Sequence, residues 1–308
     1  MNSSSHILVI GAGELGLQVL RGLVAHPHHV PGTVAVLLRP ASINSPYPAK
    51  QKEIQVLRDL GLELVAGDIV EDSERTLAAL FADFGTIIGC TGFVSGQGIQ
   101  LKVARAVLAA KVSRFIPWQF GVDYDAIGRG SPQDLFDEQL DVRDLLRSQR
   151  QTRWTILSTG MFTSFLFEPS FGVVDLANTV VCALGSLDNQ VTVTTPEDIG
   201  RITAEIVLGE ETDALFADRP IFVGGDTVSY EDVARIVESL VQQPVKRDVI
   251  TVEDALAALA KDPDNGLLKY QAVFGQGCGV AWDMDKTWNR QRGIHLTTAK
   301  EWATANLL

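Results

Sequence analysis

Three glycines near the amino terminus have the spacing of a phosphate-binding turn. Gly11, Gly13 and Gly16 follow a short apolar run and precede a helical pattern. In such a turn Gly11 permits the tight bend, Gly13 lets the backbone approach a pyrophosphate, and Gly16 lets the helix pack closely on the strand. Backbone amides at the helix start, including those of Glu14 and Leu15, attract the anion. The pattern predicts that this turn binds a dinucleotide.

The residue after the second apolar run indicates which dinucleotide is bound. NAD sites place Asp or Glu there to bind the ribose hydroxyls, whereas this chain has Arg39 and no acid for many residues. A cation suits a 2′-phosphate, and Lys50 near the start of the next helix offers a second charge. Surface lysines are common, so the alternative for Lys50 is a solvated side chain. We predict NADP(H) as the cofactor.

A short segment after the fourth apolar run is predicted to lie beside that cofactor. Thr91, Gly92 and Phe93 fall at the carboxyl edge of the predicted sheet, where ligands bind in open α/β folds. Gly92 is expected to keep the backbone low and Phe93 to cover the cofactor. The alternative is a loop glycine next to a packed aromatic residue.

The first half of the chain alternates apolar runs with helical patterns. Six runs are strand candidates: His6–Ile10, Val34–Leu38, Glu63–Ala66, Thr86–Gly89, Arg114–Pro117 and Trp154–Leu157. Five helix candidates lie between them: Leu15–Ala25, Ala49–Leu60, Ser73–Phe81, Gly98–Ala110 and Gln133–Ser148. Strands separated by helices pair in parallel, which buries both sheet faces. This predicts an α/β fold with a doubly wound parallel sheet of the Rossmann type over residues 1–160.

The second half, 161–308, has a less regular pattern. Its predicted elements are a strand at Val191–Val193, a helix from Thr195 to Leu208, a strand at Ile221–Val223 and a helix from Tyr230 to Leu240. We interpret it as a smaller, irregular substrate domain, in which part of 190–225 is a candidate to return to the sheet.

Composition narrows the possible partners. The chain has 308 residues, with 38 acidic and 26 basic side chains and a formal charge of −12, so nucleic acid and anionic membranes are disfavoured. No apolar run is long enough to span a membrane. Three scattered cysteines suggest neither disulfides nor zinc, and His26, His28 and His29 lack acidic or cysteine neighbours, so no metal is expected. We expect a cytoplasmic protein, monomeric or homodimeric, with a small-molecule substrate.

Several motifs together resemble one family. They are, in chain order, Gly11–Gly16, Leu37–Pro40, Gly67–Asp68, Phe115–Gly121, Val142–Arg143 and Asp198–Gly200. They are similar to the isoflavone reductase-like, NmrA-type branch of atypical short-chain dehydrogenases. The resemblance implies a Rossmann fold with NADP and places Gln119 and Phe120 beside the cofactor. Plant members reduce phenylpropanoid-type substrates, and fungal relatives include secondary-metabolite enzymes and nucleotide-sensing regulators.

The chain departs from the family pattern at positions that matter for catalysis. The family motif Pro-Ser-Glu-Phe-Gly reads Pro-Trp-Gln-Phe-Gly here, and the reductases' lysine is replaced by Gln139. A glutamine amide can orient a carbonyl but exchanges no proton usefully. Tyr124, in the loop after the fifth strand, is our preferred proton donor, with a partly exposed loop tyrosine as the alternative. Asp123, Asp137 and Glu138 are further candidates.

Large apolar side chains, most of them aromatic, are placed to form a substrate pocket. The candidates are Trp118, Met161, Phe162 and Phe165, and ordinary core packing is the alternative for each. We predict an NADPH-dependent reductase of a small hydrophobic, aromatic or secondary metabolite, acting on a C=C, C=N or C=O bond. The alternatives are a non-catalytic NADP-binding regulator and a redox-neutral isomerase or cyclase.

Overall fold

The computed structural model describes residues 5–307 of the chain. The strands are β1 (Ile7–Ile10), β2 (Val34–Leu38), β3 (Glu63–Ala66), β4 (Thr86–Gly89), β5 (Arg114–Ile116), β6 (Arg153–Ser158), β7 (Met161–Phe162), β8 (Val174–Asp175), β9 (Val180–Leu184), β10 (Gln190–Thr194), β11 (Arg219–Phe222), β12 (Asp226–Ser229) and β13 (Lys246–Ile250). The helices are α1 (Glu14–Ala25), α2 (Pro40–Ile43), α3 (Pro48–Asp59), α4 (Glu74–Phe81), α5 (Ile99–Ala109), α6 (Tyr124–Ile127), α7 (Leu135–Arg147), α8 (Thr163–Leu166), α9 (Pro196–Leu208), α10 (Thr212–Leu215), α11 (Tyr230–Val241), α12 (Val252–Lys261), α13 (Gly266–Gln276), α14 (Trp288–Gln291) and α15 (Ala299–Asn306).

A seven-stranded sheet has the order β11-β6-β5-β4-β1-β2-β3. The pairings of β1 with β2 and β4, of β2 with β3, of β4 with β5 and of β5 with β6 are parallel. Each residue of β1 and β4 is buried, as expected for strands with both faces covered. Because β1 lies between β2 and β4, the strand order reverses there, and ligands bind outside the carboxyl ends of strands at such a point. The predicted doubly wound α/β fold is confirmed.

The chain divides into two units that are interleaved in sequence. Unit 1 contains the residues up to Gln119 together with Asp141–Leu157 and Ile199–Pro220. Unit 2 contains Phe120–Leu140, Ser158–Asp198 and the residues from Ile221 onward. This differs from a single boundary at residue 160, because the earlier segment Phe120–Leu140 belongs to unit 2. The stretch 199–220 belongs to unit 1, and it lies within the candidate return segment 190–225.

Unit 1 has a core of aliphatic and aromatic side chains from the sheet and its helices. Leu8 and Phe115 of the sheet pack in one cluster with Phe81 of α4 and Trp154 of β6. On the helix side, α1 and α9 come very close. A Cβ atom on Gly22 would overlap the carbonyl oxygen of Gly200.

Unit 2 contains two three-stranded sheets. Their strand orders are β12-β10-β7 and β13-β9-β8. Helix α11 begins with a capping box, in which Ser229 and Asp232 each bind a backbone amide of the other. The side chains of Tyr230, Val233 and Val237 on this helix are buried.

No helix in the described part of the chain combines the length and the apolar character needed to cross a bilayer.

Candidate functional site

The glycine turn after β1 is shaped by contacts within unit 1. Gly11 has a φ of +93°, and a Cβ atom there would lie 2.5 Å from the Thr91 Oγ1 atom. Thr91 Oγ1 itself donates to the Ile10 carbonyl at 2.9 Å, which joins the end of β1 to the loop after β4. At Gly16 a Cβ atom would overlap the Gly11 carbonyl oxygen. Both glycines are therefore required by the turn itself.

Gly13 is different, because the space in front of it is open. A Cβ atom built there meets no other atom within 4 Å. Gly13 is the N-cap of α1 and, having no side chain, leaves the first helical amides without a side-chain cap. Glu14 is exposed, whereas the side chain of Leu15 is buried, so Leu15 offers only its backbone. Free amides at a helix start next to open space suit an anion.

The two predicted cations have different surroundings in unit 1. Arg39 is exposed at the N-cap of α2, and its guanidinium makes no hydrogen bond or ion pair with any described residue. Lys50, in the first turn of α3, is paired with the Glu53 carboxylate. Arg39 is thus a cation at this edge that is available to a phosphate.

Trp118 lies against the loop after β4. A Cβ atom on Gly92 would approach Trp118 Cζ2 to 2.8 Å, and the Phe93 ring meets the indole edge-to-face at a centroid distance of 4.5 Å. Trp118 and Phe93 are both half-buried. Within unit 1 the structure thus brings together Thr91, Gly92, Phe93 and Trp118 at the carboxyl ends of β4 and β5.

The Gln119 side chain lies in the interior of unit 1 and is hydrogen-bonded there. Its side chain is fully buried, and Oε1 accepts a hydrogen bond from Arg143 Nε at 2.8 Å. Arg143 is equally buried, so this bond satisfies part of a guanidinium removed from water. The predicted contact of Gln119 with a cofactor stays a prediction.

The predicted catalytic residues lie in unit 2, and both are buried. The Tyr124 ring packs edge-to-face on Phe136 at 4.9 Å, and its hydroxyl would be 2.8 Å from a Cβ atom on Gly121. Gln139 has no exposed surface. Tyr124 is therefore not the partly exposed loop residue of the alternative interpretation. The catalytic roles of Tyr124 and Gln139 stay predictions.

The remaining predicted residues, Phe120 of the cofactor site and three of the substrate pocket, are distributed over unit 2. Phe120 and Met161 are buried, and Met161 pairs with Val193 in the sheet. Phe162 is half-buried. Phe165, also half-buried, packs on the Phe171 ring at 4.5 Å.

An aromatic cluster in unit 2 was not found by the sequence analysis. Phe165 meets Tyr270 of α13 edge-to-face at 6.1 Å, and Tyr270 in turn lies near Phe136 and Phe274, at 6.0 Å and 6.4 Å. Burial raises the pKa of Tyr270 to about 12. The spacing of Tyr270 and Phe274, four residues apart, was the available signal for one helix face.

The described residues contain no group of three histidine, cysteine or acidic side chains arranged to hold a metal ion.

The chain belongs to the NmrA-like family, whose model matches residues 3–302. An NmrA-like family domain-containing oxidoreductase of Gibberella moniliformis is 46% identical over 300 residues, covering 97% of each chain. The resemblance inferred from the motifs is therefore confirmed.

Solved structures share the fold. An isoflavone reductase superposes with a TM-score of 0.79 at 19% identity, covering 99% of this chain and 100% of the other. A leucoanthocyanidin reductase of Vitis vinifera, solved as a binary complex with NADPH, has a TM-score of 0.78 at 20% identity, covering 96% of this chain and 97% of the other.

Proposed function

We propose that this protein is an NADPH-dependent reductase of small, hydrophobic aromatic metabolites. The observation that carries the proposal is the open space in front of Gly13 at the uncapped start of α1. NADPH would be held there by backbone amides, and when bound it supplies the hydride for a polarised C=C, C=N or C=O bond. The relatives' names, oxidoreductase and NADPH-bound reductase, support the same conclusion.

Arg39 supports the choice of NADPH over NADH. Its guanidinium is exposed and unengaged at the end of β2, where a 2′-phosphate needs a charged partner. In a chain with a net charge of −12, such a partner must be supplied locally. Lys50 is paired with Glu53, whereas Arg39 has no such partner among the described residues.

Aromatic side chains support an aromatic substrate. Trp118 and Phe93 at the sheet edge of unit 1 and Phe165 in unit 2 are half-buried, so each keeps accessible ring surface. Such surfaces bind flat apolar ligands by stacking and edge-to-face contact. Tyr124 and Gln139 are the proposed groups for the substrate oxygen, the first as proton donor and the second as hydrogen-bond donor.

A second candidate function is a non-catalytic NADP-binding regulator. Gln139 favours a regulator, because the reductases that this chain resembles carry a lysine at that position.

The experiment that separates these functions is NADPH oxidation in the presence of aromatic enones, imines and ketones. A reductase consumes NADPH only when an acceptor is present, and it consumes NADH much more slowly. Tight NADPH binding without oxidation by any acceptor contradicts the proposal and favours the regulator. Conversion of a substrate without NADPH consumption favours a redox-neutral isomerase or cyclase.

A further inference from the structure

Tyr270 lies within a wall of aromatic rings in unit 2. Its ring has edge-to-face contacts with Phe136 and Phe165 and a tilted contact with Phe274. Phe136 and Phe274 are buried, whereas Phe165 and Tyr270 are half-buried. The wall therefore has a buried backing and two accessible rings.

Two side-chain contacts fix the position of α13, which carries Tyr270. Lys269 Nζ contacts both carboxylate oxygens of Asp134 at 2.8 and 2.9 Å. Gln271 Nε2 donates to the Phe171 carbonyl at 2.9 Å. These residues flank Tyr270 in sequence, so its ring is held against the neighbouring segments before any ligand binds. Such preorganisation lowers the entropy cost of binding.

The Tyr270 hydroxyl is an unused hydrogen-bond donor. It makes no hydrogen bond with any described residue, although the ring is half-buried among other rings. Burial raises its pKa to about 12, so the phenol keeps its proton at neutral pH. A polar group placed in apolar surroundings without a partner is costly, and a ligand or water that accepts from it removes that cost.

Other unpartnered polar groups of unit 2 do not share this accessibility. The Tyr230 hydroxyl and the Gln133 carboxamide also have no hydrogen-bond partner. Both side chains are fully buried and present no surface to solvent in this structure. Tyr270, in contrast, has a hydroxyl without a hydrogen-bond partner among the described residues, on a side chain that keeps exposed surface.

We propose that Tyr270 donates a hydrogen bond to an oxygen acceptor on a neutral, planar aromatic ligand that lies against Phe165. A carbonyl or ether oxygen is the fitting acceptor, because a neutral phenol donates well to either. A neutral ligand fits because the nearby Lys269 cation is already paired with Asp134. The identification of this ligand as the substrate rests on the proposed reductase function. With that function, Tyr270 is a determinant of substrate specificity.

The test uses two probes that differ in the acceptor alone. They are 2-acetylnaphthalene and 2-isopropenylnaphthalene, in which a methylene group replaces the carbonyl oxygen. Binding to the full-length protein is measured by equilibrium dialysis, with and without saturating NADP+. We expect the wild type to bind the ketone about twofold to tenfold more tightly than the alkene, the usual effect of one neutral hydrogen bond.

Two matched tyrosine variants show whether the preference for the ketone depends on Tyr270. Tyr270→Phe is expected to bind both probes equally, with the alkene affinity unchanged. Tyr230→Phe, which removes a hydroxyl that is also unpartnered but fully buried, keeps the wild-type preference. Persistence of the preference in Tyr270→Phe, its loss in Tyr230→Phe, or the absence of any preference in the wild type overturns the proposal.

Oxidation of NADPH by 2-acetylnaphthalene is recorded separately. A preference that depends on Tyr270, without NADPH oxidation by this or any other acceptor, upholds the binding site and refutes the reductase. NADPH oxidation without such a preference upholds the reductase and refutes the role of Tyr270.

Discussion

The three glycines of the turn after β1 serve different purposes. Gly11 and Gly16 are required by neighbouring atoms of unit 1, whereas Gly13 faces open space. A protein that needed the turn only for its fold would tolerate a methyl group at Gly13. The glycine at this position is therefore best explained by a ligand that comes close to the backbone.

Substitution of Gly13 tests this explanation. Gly13→Ala is expected to weaken NADPH binding by about 1–3 kcal/mol, the usual cost of one extra methyl group in a close contact. The unfolding temperature of the cofactor-free protein should stay near the wild-type value, because φ is −71° and nothing lies within 4 Å of the new Cβ. Fluorescence titration and thermal unfolding measure the two effects.

Gly266→Ala is the matched control, since a Cβ atom there also meets nothing within 4 Å. It should leave NADPH affinity unchanged. A Gly13→Ala protein with wild-type NADPH affinity would contradict the proposed cofactor position.

At the same scale, Arg39 is the residue that we propose to determine the preference for NADPH over NADH. Arg39→Ala should lower NADPH affinity by about 1.5–3 kcal/mol, the range for hydrogen bonds to charged groups, and leave NADH affinity nearly unchanged. Competitive titration with the two cofactors measures the ratio. Arg58→Ala, which removes another exposed arginine of unit 1, should have little effect. Unchanged NADPH affinity in Arg39→Ala, or equal affinity of the wild type for both cofactors, would refute this role.

At the scale of elements, α1 and α9 pack through glycines. A Cβ atom on Gly22 would overlap the Gly200 carbonyl oxygen, and one on Gly200 would overlap the Gln18 carbonyl oxygen. Backbone atoms cannot move aside as a flexible side chain can. The distance between these helices is therefore set by the absence of side chains at both positions.

Gly22→Ala is expected to destabilise the protein by about 1–3 kcal/mol, because the added methyl group overpacks this contact. The free energy of unfolding in urea measures the change. Arg21→Ala, at an exposed neighbouring position of α1, should change it by less than about 0.5 kcal/mol. Equal stability of Gly22→Ala and the wild type would show that the helices can separate without cost.

In unit 2, a charged network connects α11 with β13. Arg247 donates to Glu238 at 2.7 Å and to Glu231 at 2.9 Å, and Val245 N also donates to Glu238. The Arg247 hydrogen bonds are the main cause of a low pKa of Glu238, at about 2. The contribution of Glu238 to stability is therefore fully present above the unfolded pKa, about 4.3. It is lost as the pH falls from there towards 2.

Glu238→Gln should consequently lower the unfolding temperature most at neutral pH. The difference from the wild type should shrink below a pH of about 4.3, where the unfolded-state carboxyl begins to take up a proton. Thermal unfolding across this pH range measures it, with Glu253→Gln on α12 as the control. A difference that does not change with pH would show that the network does not act through the charge of Glu238.

The elements of the parallel sheet were predictable, while those of unit 2 were less so. Predicted strands such as Val34–Leu38 and Thr86–Gly89 are observed with the same bounds, because a strand buried on both faces has a continuous apolar run. In contrast, β13 is a partly exposed edge strand that contains two basic residues and one acidic residue. Helix α13 has apolar and small residues around much of its circumference, so its period was weak.

The functional residues divide in the same way. Gly13 and Arg39 could be predicted as candidates because a local motif places them relative to the strands that precede them. Tyr270 was missed because its significance depends on Phe136 and Phe165, which are more than a hundred residues away in sequence. Such contacts have no local pattern in a single sequence.

For the whole molecule, interleaving explains why the domain boundary was harder to predict than the sheet. Segments 120–140 and 158–198 belong to unit 2, although the chain on both sides of each belongs to unit 1. A boundary drawn along the sequence cannot describe such an arrangement. The overall negative charge supports the cofactor proposal in another way, because a phosphate bound to such a chain needs a local cation, for which Arg39 is the candidate.

Isotope transfer tests the proposed reductase function of the whole molecule. NADPH carrying deuterium at both C4 positions of the dihydronicotinamide ring is incubated with the protein and an aromatic ketone, enone or imine, and the product is analysed by mass spectrometry. We predict that the product gains one deuterium on carbon for each NADPH oxidised. A product without deuterium, or tight NADPH binding with no product from any acceptor, would contradict hydride transfer by this protein.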